Sequence, residues 1–232
     1  YAAVDKYIIE GGMAGSYLYK DQEARYDYIA DVFNTLIVRD IRKKYKIRNM
    51  QLMDRIVDFL MDNISNLSSA RSITNTLSGI KEKVNHVTVS SYMQYLCNAF
   101  AFYKIRRYDI KGKSYFNYPN KYYCEDLGLR NARIGFRQQE MTHIMENIIF
   151  NELKIRGYRV DVGVVEITET NAEGKRVQKG LEIDFIATKG NNKYYIQSAF
   201  SIPDREKMLQ EQNSLTRIND SFKKIIIVIT NI

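Results

Sequence analysis

The stretch KGLEIDFIATKGNNKYYIQSAFS, residues 179–201, decides the fold of the second half of the chain. Two runs rich in β-branched and aromatic residues flank the turn KGNN, which predicts a hairpin of two short strands. Glu182 and Asp184 lie on the first strand and Gln197 lies on the second. These side chains suit Mg²⁺, which prefers carboxylate and carbonyl oxygens. Three interpretations of the hairpin stay open: a metal site, a disabled metal site and an ordinary strand pair.

The segments on either side of the hairpin predict a mixed sheet flanked by helices. A long helix, QQEMTHIMENIIFNELKIRG, stops at Gly157, and the strand YRVDVGVVEIT follows it. After the hairpin come a helix that begins beyond Pro203 and the buried strand KKIIIVIT. The order α-β-β-β-α-β predicts an α/β domain over 121–232, with residues 121–132 as its entry loop.

Residues 26–120 predict a mostly helical domain. YDYIADVFNTLIVRDIRKKY and MQLMDRIVDFLMDNI place apolar residues at helical spacing and predict two core helices. A helix over 69–77, a polar turn and a helix capped at Thr88 come next, and the strand FYKIRRYDI then returns as SYFNY after Gly112. Helix, turn, helix and hairpin are the order of a winged helix. Five residues of the last helix are predicted to face inward: Val89, Tyr92, Met93, Leu96 and Phe100.

The predicted winged helix carries the candidates for contact with DNA. Its second helix turns Ser90, Ser91 and Gln94 outward, where a recognition helix would read the major groove. Its hairpin carries basic residues that suit phosphate groups, namely Lys104, Arg106, Arg107, Lys111 and Lys113. Because winged helices also serve as adaptors between proteins, DNA and a protein partner both stay open.

The composition is that of an ordinary soluble protein, which we expect in the cytoplasm. Of its 232 residues 27% are charged, and the formal net charge of +8 favours an acidic partner, nucleic acid foremost. No apolar run approaches the ~20 residues of a membrane span, so no membrane partner is expected.

Two cysteines without metal spacing argue against zinc. Because the chain begins at Tyr1, we expect a processed product or a piece of a longer protein.

Three residues on different predicted elements form a candidate catalytic and metal-binding site: Glu146 on the long helix, Asp184 and Gln197. The order of these elements resembles the core of the PD-(D/E)xK nucleases, and this resemblance implies a lysine two residues after Gln197 that would help a metal-bound water lose its proton and would stabilise charge on the phosphate. This chain has Ala199 there. The absence of the lysine removes two aids to catalysis that each change the rate by roughly 10²-fold or more. A disabled site is therefore the preferred interpretation.

A displaced lysine is the alternative to a disabled site. Lys193, at the start of the second hairpin strand, and Lys207, on the following helix, are the candidates. Gln210 and Glu211 on that helix are placed to help close the site. In the structural alternative, Glu182 or Asp184 simply pairs with a nearby basic residue.

Several runs carry a family resemblance over nearly the whole chain: GGM (11–13), VFNTLIVRDI (32–41), TVSSYMQYL (88–96), FYKIRRYDIKGK (102–113), KYYCEDLGLRN (121–131), MENIIFNELKIRGYRV (145–160), EIDFIA (182–187) and YYIQSA (194–199). With them the chain resembles the C-terminal part of AAA-type ATPases that carry the domain of unknown function 4143. The resemblance implies an upstream ATPase domain, a winged-helix middle and an end that is like the PD-(D/E)xK restriction endonucleases. In those nucleases a helical Glu, a strand carboxylate and a Glu or Gln surround Mg²⁺, and these positions match Glu146, Asp184 and Gln197.

The resemblance also implies roles for the remaining segments. Residues 1–25 match the tail of the ATPase lid, and Asp126 and Arg130 match a junction between domains. Because these 232 residues contain no P-loop motif, ATP is expected only in the missing upstream domain. The Gln-Ser-Ala run at 197–199 matches the members that lack the lysine.

Three functions are therefore open at this point. The preferred one is a DNA-binding, regulatory tail of an ATPase, with a nuclease-like domain that uses Mg²⁺ weakly or not at all and is not itself catalytic. The second is an active, metal-dependent DNA nuclease with a displaced lysine. The third is a protein-interaction module that couples the ATPase to a partner.

Overall fold

The computed structural model describes residues 2–78, 84–136, 140–171 and 173–228. Within it the chain forms two compact units. The N-terminal unit comprises Tyr1–Lys104 and Tyr122–Glu140, and the C-terminal unit comprises Ile105–Lys121 and Met141–Ile232. Residues 105–121 therefore pack with the C-terminal unit and 122–140 with the N-terminal unit, a different division from the predicted boundary at 120/121.

The chain contains helices and strands in mixed order, as predicted. The α-helices are α1 (Ala2–Glu10), α2 (Gln22–Asn34), α3 (Arg42–Tyr45), α4 (Met50–Asp62), α5 (Ala70–Leu77), α6 (His86–Asn98), α7 (Leu127–Arg133), α8 (Met141–Ile155) and α9 (Arg205–Thr216). A 3₁₀ segment spans Ala14–Leu18, and a π-helical segment, Thr35–Ile41, joins α2 to α3. The strands are β1 (Leu67–Ser68), β2 (Phe102–Ile105), β3 (Arg107–Asp109), β4 (Ser114–Tyr115), β5 (Asn120–Cys124), β6 (Arg159–Thr170), β7 (Arg176–Lys189), β8 (Asn192–Ala199) and β9 (Lys223–Val228).

Helices α4 and α5 form where the apolar spacing predicts them. The Asn49 side chain accepts a hydrogen bond from the Leu52 amide (2.9 Å) and starts α4. Ser69 and Ser72 form a reciprocal capping box that starts α5. The buried face of α4 consists of Leu52, Met53, Ile56, Val57, Leu60 and Met61.

Helix α6 differs from its prediction at both ends. It begins at His86, because the Asn85 side chain accepts from the Val87 amide (2.8 Å), and Thr88 is therefore not the cap. Phe100 was expected to face inward, but the helix has ended at Asn98 and Phe100 has a φ of 58° with 68% of its surface exposed. The other four predicted core residues are buried, namely Val89, Tyr92, Met93 and Leu96.

The predicted wing is not confirmed, because its first strand is divided between two sheets. The break falls at Arg106: β2 belongs to a three-stranded sheet of order β1-β5-β2, and β3 belongs to a six-stranded sheet of order β4-β3-β6-β7-β8-β9. The Arg106 carbonyl accepts from the Val162 amide (3.0 Å), which aligns β3 with β6 in parallel. The return strand pairs with β3 over only two residues, Ser114 and Tyr115.

The C-terminal unit has the predicted order α8-β6-β7-β8-α9-β9. Its sheet is mixed: β6, β7 and β8 are antiparallel neighbours, whereas β9 runs parallel to β8. The first residues predicted for the long helix, 138–139, and the end of the predicted last strand, 229–230, lie outside the described residues. One core cluster of this unit joins strands to α9 and consists of Val165, Ile183, Ile186, Tyr195, Leu215 and Ile218.

A β-bulge interrupts β7 beside its acidic residues. Asp161 on β6 is opposite Ile186, whereas Gly163 is opposite Ile183. Val162 therefore faces two residues of β7, Asp184 and Phe185. The extra residue reverses the alternation of side chains, so that Ile183 and Ile186 both join the same core cluster.

Helix α7 is tied to other segments of the N-terminal unit by buried polar groups. The Asp126 carboxylate accepts hydrogen bonds from the amides of Gly12 (2.7 Å) and Leu129 (3.1 Å). The Arg130 Nε donates to the Met61 carbonyl (2.9 Å). Asn131, which is fully buried, donates to two carbonyl groups of α1. Within this unit the run DLGLRN thus fixes how α7 packs.

Both cysteines lie in surroundings that make their thiols unreactive at neutral pH. Burial raises the pKa of Cys97 to about 11 and that of Cys124 to about 12. Because the thiolate is the reactive form, we expect iodoacetamide at pH 8 to modify the native chain at least ~10-fold more slowly than the urea-unfolded chain. Mass spectrometry of quenched samples measures both rates, and equal rates would contradict this prediction.

No helix in the described ranges is both long and apolar enough to span a bilayer.

Candidate functional site

A buried lysine lies among three carboxylates in the C-terminal unit. The Lys121 Nζ is 2.8 Å from Glu146 Oε1, 2.7 Å from Glu182 Oε1 and 3.9 Å from Asp184 Oδ1. The side chains of Lys121, Glu146 and Asp184 are each less than 10% exposed, and that of Glu182 is 31% exposed. These four residues are called the carboxylate cluster below.

Different elements bring the members of this cluster together. Lys121 lies on β5, whose five residues are all buried, and Glu146 lies in the middle of α8 on its buried side. Glu182 and Asp184 lie two residues apart on β7, next to the bulge. Ordinary alternation along β7 turns Ile183 to the core and Glu182 and Asp184 to the opposite face. Bulges are common beside functional sites.

Ser198 holds the Asp184 carboxylate in place. The Ser198 amide and hydroxyl both donate to Asp184 Oδ2, at 2.7 and 2.6 Å. The other carboxylate oxygen is thus the one that faces Lys121. Two hydrogen bonds to one oxygen fix the orientation of the carboxylate, as outer-shell partners of metal ligands commonly do.

The structure brings together two of the three predicted site residues. Glu146 and Asp184 share Lys121, but the residue of β8 that contacts Asp184 is Ser198, not Gln197. Because neighbouring residues of a strand point to opposite faces, Gln197 lies on the other face of β8. Its Oε1 is buried and has no hydrogen-bond partner among the described residues.

The two lysines predicted as replacements are engaged elsewhere. Lys193 Nζ lies over the rings of Tyr195 and Phe222, 4.8 and 5.1 Å from their centroids. Lys207 Nζ pairs with Glu211 Oε1 at 2.6 Å. The lysine that the structure places at the acidic residues is Lys121.

The sequence analysis placed Lys121 at the start of the entry loop over 121–132 and did not include it among the site residues. A signal was present in the sequence. Lys121 precedes the apolar run YYC, so a strand there would bury an ammonium group, and a lysine is almost never fully buried without a paired charge. Such a lysine predicts carboxylates in contact with it, although it does not say which ones.

The carboxylate cluster has surplus negative charge. Burial lowers the pKa of Lys121, but Glu146, Glu182 and Asp184 together outweigh this effect and raise the pKa above its ordinary value. The ammonium is therefore charged at neutral pH, and one positive charge faces three carboxylates. Burying unpaired charge is costly, so a further cation bound at the cluster would stabilise it by balancing the remaining negative charge.

The donor atoms suit a hard divalent cation. Carboxylate oxygens are the ligands that Mg²⁺ and Ca²⁺ take in proteins. In the ranges that the structure describes, no three His, Cys, Asp or Glu side chains are arranged to hold a metal ion as they stand. In the carboxylate cluster the ammonium of Lys121 lies between the acids, so a metal would have to share or displace its contacts.

The candidate DNA-binding residues fall in both units. Ser90 and Gln94 are exposed on α6, as predicted, and the Ser91 hydroxyl donates to the Val87 carbonyl. Lys104 also belongs to the N-terminal unit. Four belong to the C-terminal unit, namely Arg106, Arg107, Lys111 and Lys113.

The four basic residues of the C-terminal unit lie around the β3–β4 hairpin. Arg106 stacks over Tyr115 (3.9 Å to the centroid), and Arg107 lies over Phe116 (5.0 Å). Lys111 Nζ donates to the Glu166 carbonyl (2.9 Å). Because neutral groups hold Arg106, Arg107 and Lys111, the positive charges of these three side chains stay available to an anion.

Comparisons with known proteins identify relatives of unknown function. An uncharacterised protein of Haemophilus influenzae is 34% identical over 227 residues, which cover 98% of this chain and 52% of the relative. The uncharacterised protein MJ1544 of Methanocaldococcus jannaschii is 22% identical over 204 residues, which cover 88% of this chain and 43% of the relative. The chain therefore spans about half the length of the curated relatives it matches.

The remaining comparisons concern structures and families. No solved structure matches the chain. The model of a domain of unknown function, DUF8612, matches residues 1–140, which include Lys121 but not the three carboxylates around it. Because this match covers more than half of the sequence, the chain belongs to the DUF8612 family.

Proposed function

We propose that the C-terminal unit is a metal-dependent nuclease domain in which Lys121 takes the place of the lysine that is absent at Ala199. The observation that carries the proposal is the buried Lys121 ammonium, which contacts Glu146 and Glu182 at hydrogen-bond distance and lies 3.9 Å from Asp184. The order of elements supports it, because α8 is followed by β6, β7 and β8, the helix-and-strand order of the PD-(D/E)xK nuclease core that the sequence resembles. The proposal thus favours the displaced-lysine interpretation.

The charges of the carboxylate cluster support binding of a divalent cation. Three carboxylates and one ammonium leave two negative charges, which a cation such as Mg²⁺ would balance. Glu146, Glu182 and Asp184 would hold the ion, since they provide hard oxygen donors. A bound ion would supply an activated water and neutralise charge on the phosphate.

The residues of the chain have separate tasks in this proposal. Lys121 keeps its proton at neutral pH, because three carboxylates raise its pKa, and its ammonium stabilises negative charge that develops on a phosphate oxygen. Ser198 holds Asp184 by two hydrogen bonds and so fixes one donor atom in advance. Glu182 is the most exposed carboxylate of the cluster, and it marks the side from which a substrate enters.

A second candidate function follows from the same contacts. The Lys121 ammonium already bonds two of the carboxylates, so the lysine can itself replace the cation and leave a domain without catalysis. The C-terminal unit would then serve as a regulatory, DNA-binding part of a longer protein, with the basic β3–β4 hairpin in contact with phosphates. An upstream ATPase domain, which the sequence resemblance implies, belongs to this candidate.

Cleavage of DNA in the presence of Mg²⁺ or Mn²⁺ tests the proposal. We expect the chain to cut plasmid or single-stranded DNA, and we expect Asp184→Asn to reduce the rate by ~10²-fold or more because a donor atom with full charge is lost. Glu169→Gln is the matched control, since Glu169 is an exposed acid of the same unit whose one ion-pair partner among the described residues is Lys179, at 3.4 Å. Its rate should equal that of the unaltered chain.

The outcomes separate the two candidates. Stabilisation by Mn²⁺ in a thermal melt, lost in Asp184→Asn, establishes the metal site independently of cleavage. Cutting that persists in Asp184→Asn contradicts the proposal. If the chain neither cuts DNA nor is stabilised by Mn²⁺, while it binds DNA in a salt-dependent manner, the second candidate is favoured.

A further inference from the structure

We infer that a basic pocket of the C-terminal unit binds a nucleoside phosphate, either as a free nucleotide or as one unit of a single nucleic-acid strand. The pocket has a volume of about 450 Å³, which lies in the range of small-ligand sites. The residues that matter for binding are Tyr108, Lys111, Lys113, Lys193, Arg217 and Phe222. The inference does not depend on the carboxylate cluster or on its proposed activity.

The pocket has excess positive charge that no carboxylate of the described residues neutralises. Lys111 donates to a neutral carbonyl group, and Lys193 lies over two aromatic rings. Neither Lys113 nor Arg217 has an ion-pair partner in the described part of the chain. Four cations that converge on one cavity are suited to phosphate oxygens.

Asp220 is the one acidic residue among the described residues that line the pocket, and its carboxylate already has partners. Its Oδ2 accepts from the Tyr195 hydroxyl (2.6 Å), and its Oδ1 accepts from the Phe222 amide (3.2 Å). Lys224 Nζ lies 3.7 Å from the same carboxylate and balances its charge. Asp220 therefore fixes the loop that carries Phe222 and does not cancel the charge of the four cations.

Aromatic rings beside the cations favour a nucleoside over a simple phosphate ion. Phe222 is 41% exposed, and Tyr108 lines the same cavity. Nucleobases stack on such rings whatever their identity, while basic side chains hold the adjoining phosphate. A phosphate alone would not require an exposed phenylalanine ring.

Fluorescence anisotropy with two labelled probes in EDTA tests the inference: an adenosine monophosphate analogue and a short oligothymidylate. We expect at least one probe to bind, with binding by the first indicating a free nucleotide and binding by the second alone indicating a strand. Arg217→Gln and Phe222→Ala should each weaken binding by about tenfold. For the oligothymidylate, Arg217→Gln should also lower the salt dependence.

Arg176→Gln is the matched control, because Arg176 is an exposed arginine of the same unit that does not line the pocket. It should bind like the unaltered chain, and circular dichroism confirms that each variant is folded. Absence of binding by both probes at low salt would overturn the inference, as would an equal loss in Arg176→Gln. Because EDTA removes divalent cations, the binding assay does not depend on metal-dependent cleavage. A chain that fails the nuclease test can therefore still show this binding.

Discussion

Replacing Lys121 with methionine is expected to lower the free energy of unfolding at neutral pH by about 3–5 kcal/mol. The methionine fills much of the same space, but Glu146, Glu182 and Asp184 would then share a poorly hydrated site with no positive charge. Breaking a buried ion pair by removing one partner is much more destabilising than replacing both partners. Urea unfolding followed by circular dichroism measures the difference.

The pH dependence distinguishes this cause from a simple packing defect. In the unaltered chain the carboxylates raise the pKa of Lys121, so its contribution is fully present below the ordinary lysine pKa near 10.5 and is lost only as the pH rises through the higher folded value. In Lys121→Met the crowded carboxylates bind protons more readily, so the deficit should shrink as the pH falls toward 5. Addition of Mg²⁺ should reduce it as well.

An exposed lysine of the same unit provides the control. Lys175 has a side chain that is 76% exposed, and within the described part of the chain its one ion-pair partner is Glu173. Lys175→Met should therefore change the free energy of unfolding by less than ~0.5 kcal/mol. A deficit below ~1 kcal/mol in Lys121→Met, or one that is constant from pH 5 to 8, would show that the cluster does not depend on the lysine charge.

Replacing Gly128 with alanine should have the second largest effect, a loss of about 3 kcal/mol. A Cβ atom at this position would lie 2.2 Å from the Glu10 carbonyl oxygen and 2.9 Å from the Asp126 carboxylate. The Glu10 carbonyl is backbone at the end of α1, and the Asp126 carboxylate accepts a hydrogen bond from the Gly12 amide just beyond that helix. Helix α7 would therefore have to move, which would lengthen the hydrogen bonds of Asn131 to α1.

Gly12→Ala is the matched variant for Gly128→Ala. The closest atom to its Cβ would be a ring carbon of Tyr7 at 3.3 Å, and the Gly12 amide would still donate to Asp126. We expect a change below ~1 kcal/mol for this variant. Thermal and urea unfolding of both variants provide the measurement, and similar values for the two would contradict the close packing of Gly128 against α1.

Elements with strong periodicity were predictable from the sequence, and elements with short or divided strands were not. Helix α4 and the succession α8-β6-β7-β8-α9-β9 follow directly from the spacing of apolar residues. The segment 102–110 looks like one strand, because its local pattern holds no information about which sheet each half will join. Only the pairing of β3 with the distant strand β6 decides the break at Arg106.

The candidate site was predictable in part for the same reason. Glu146 and Asp184 are acidic residues on apolar elements, and the order of those elements brings them together. Gln197 was assigned because it matches the third-strand position of the nuclease motif, but Ser198 is the residue of β8 that contacts Asp184. Lys121 was missed because a contact between β5 and α8 depends on tertiary packing, which local patterns do not encode.

The interleaving of the two units has a consequence for synthesis on the ribosome. Residues 105–121 emerge before 122–140, which belong to the other unit, and before every strand of the C-terminal unit that they must join. Lys121 is therefore translated ahead of Glu146, Glu182 and Asp184, and its ammonium stays hydrated until they arrive. Chains grow at about 5–20 residues per second. The nascent N-terminal unit therefore carries residues 105–121 as an unpaired loop until translation has passed β7. The carboxylate cluster forms late in the synthesis of the chain.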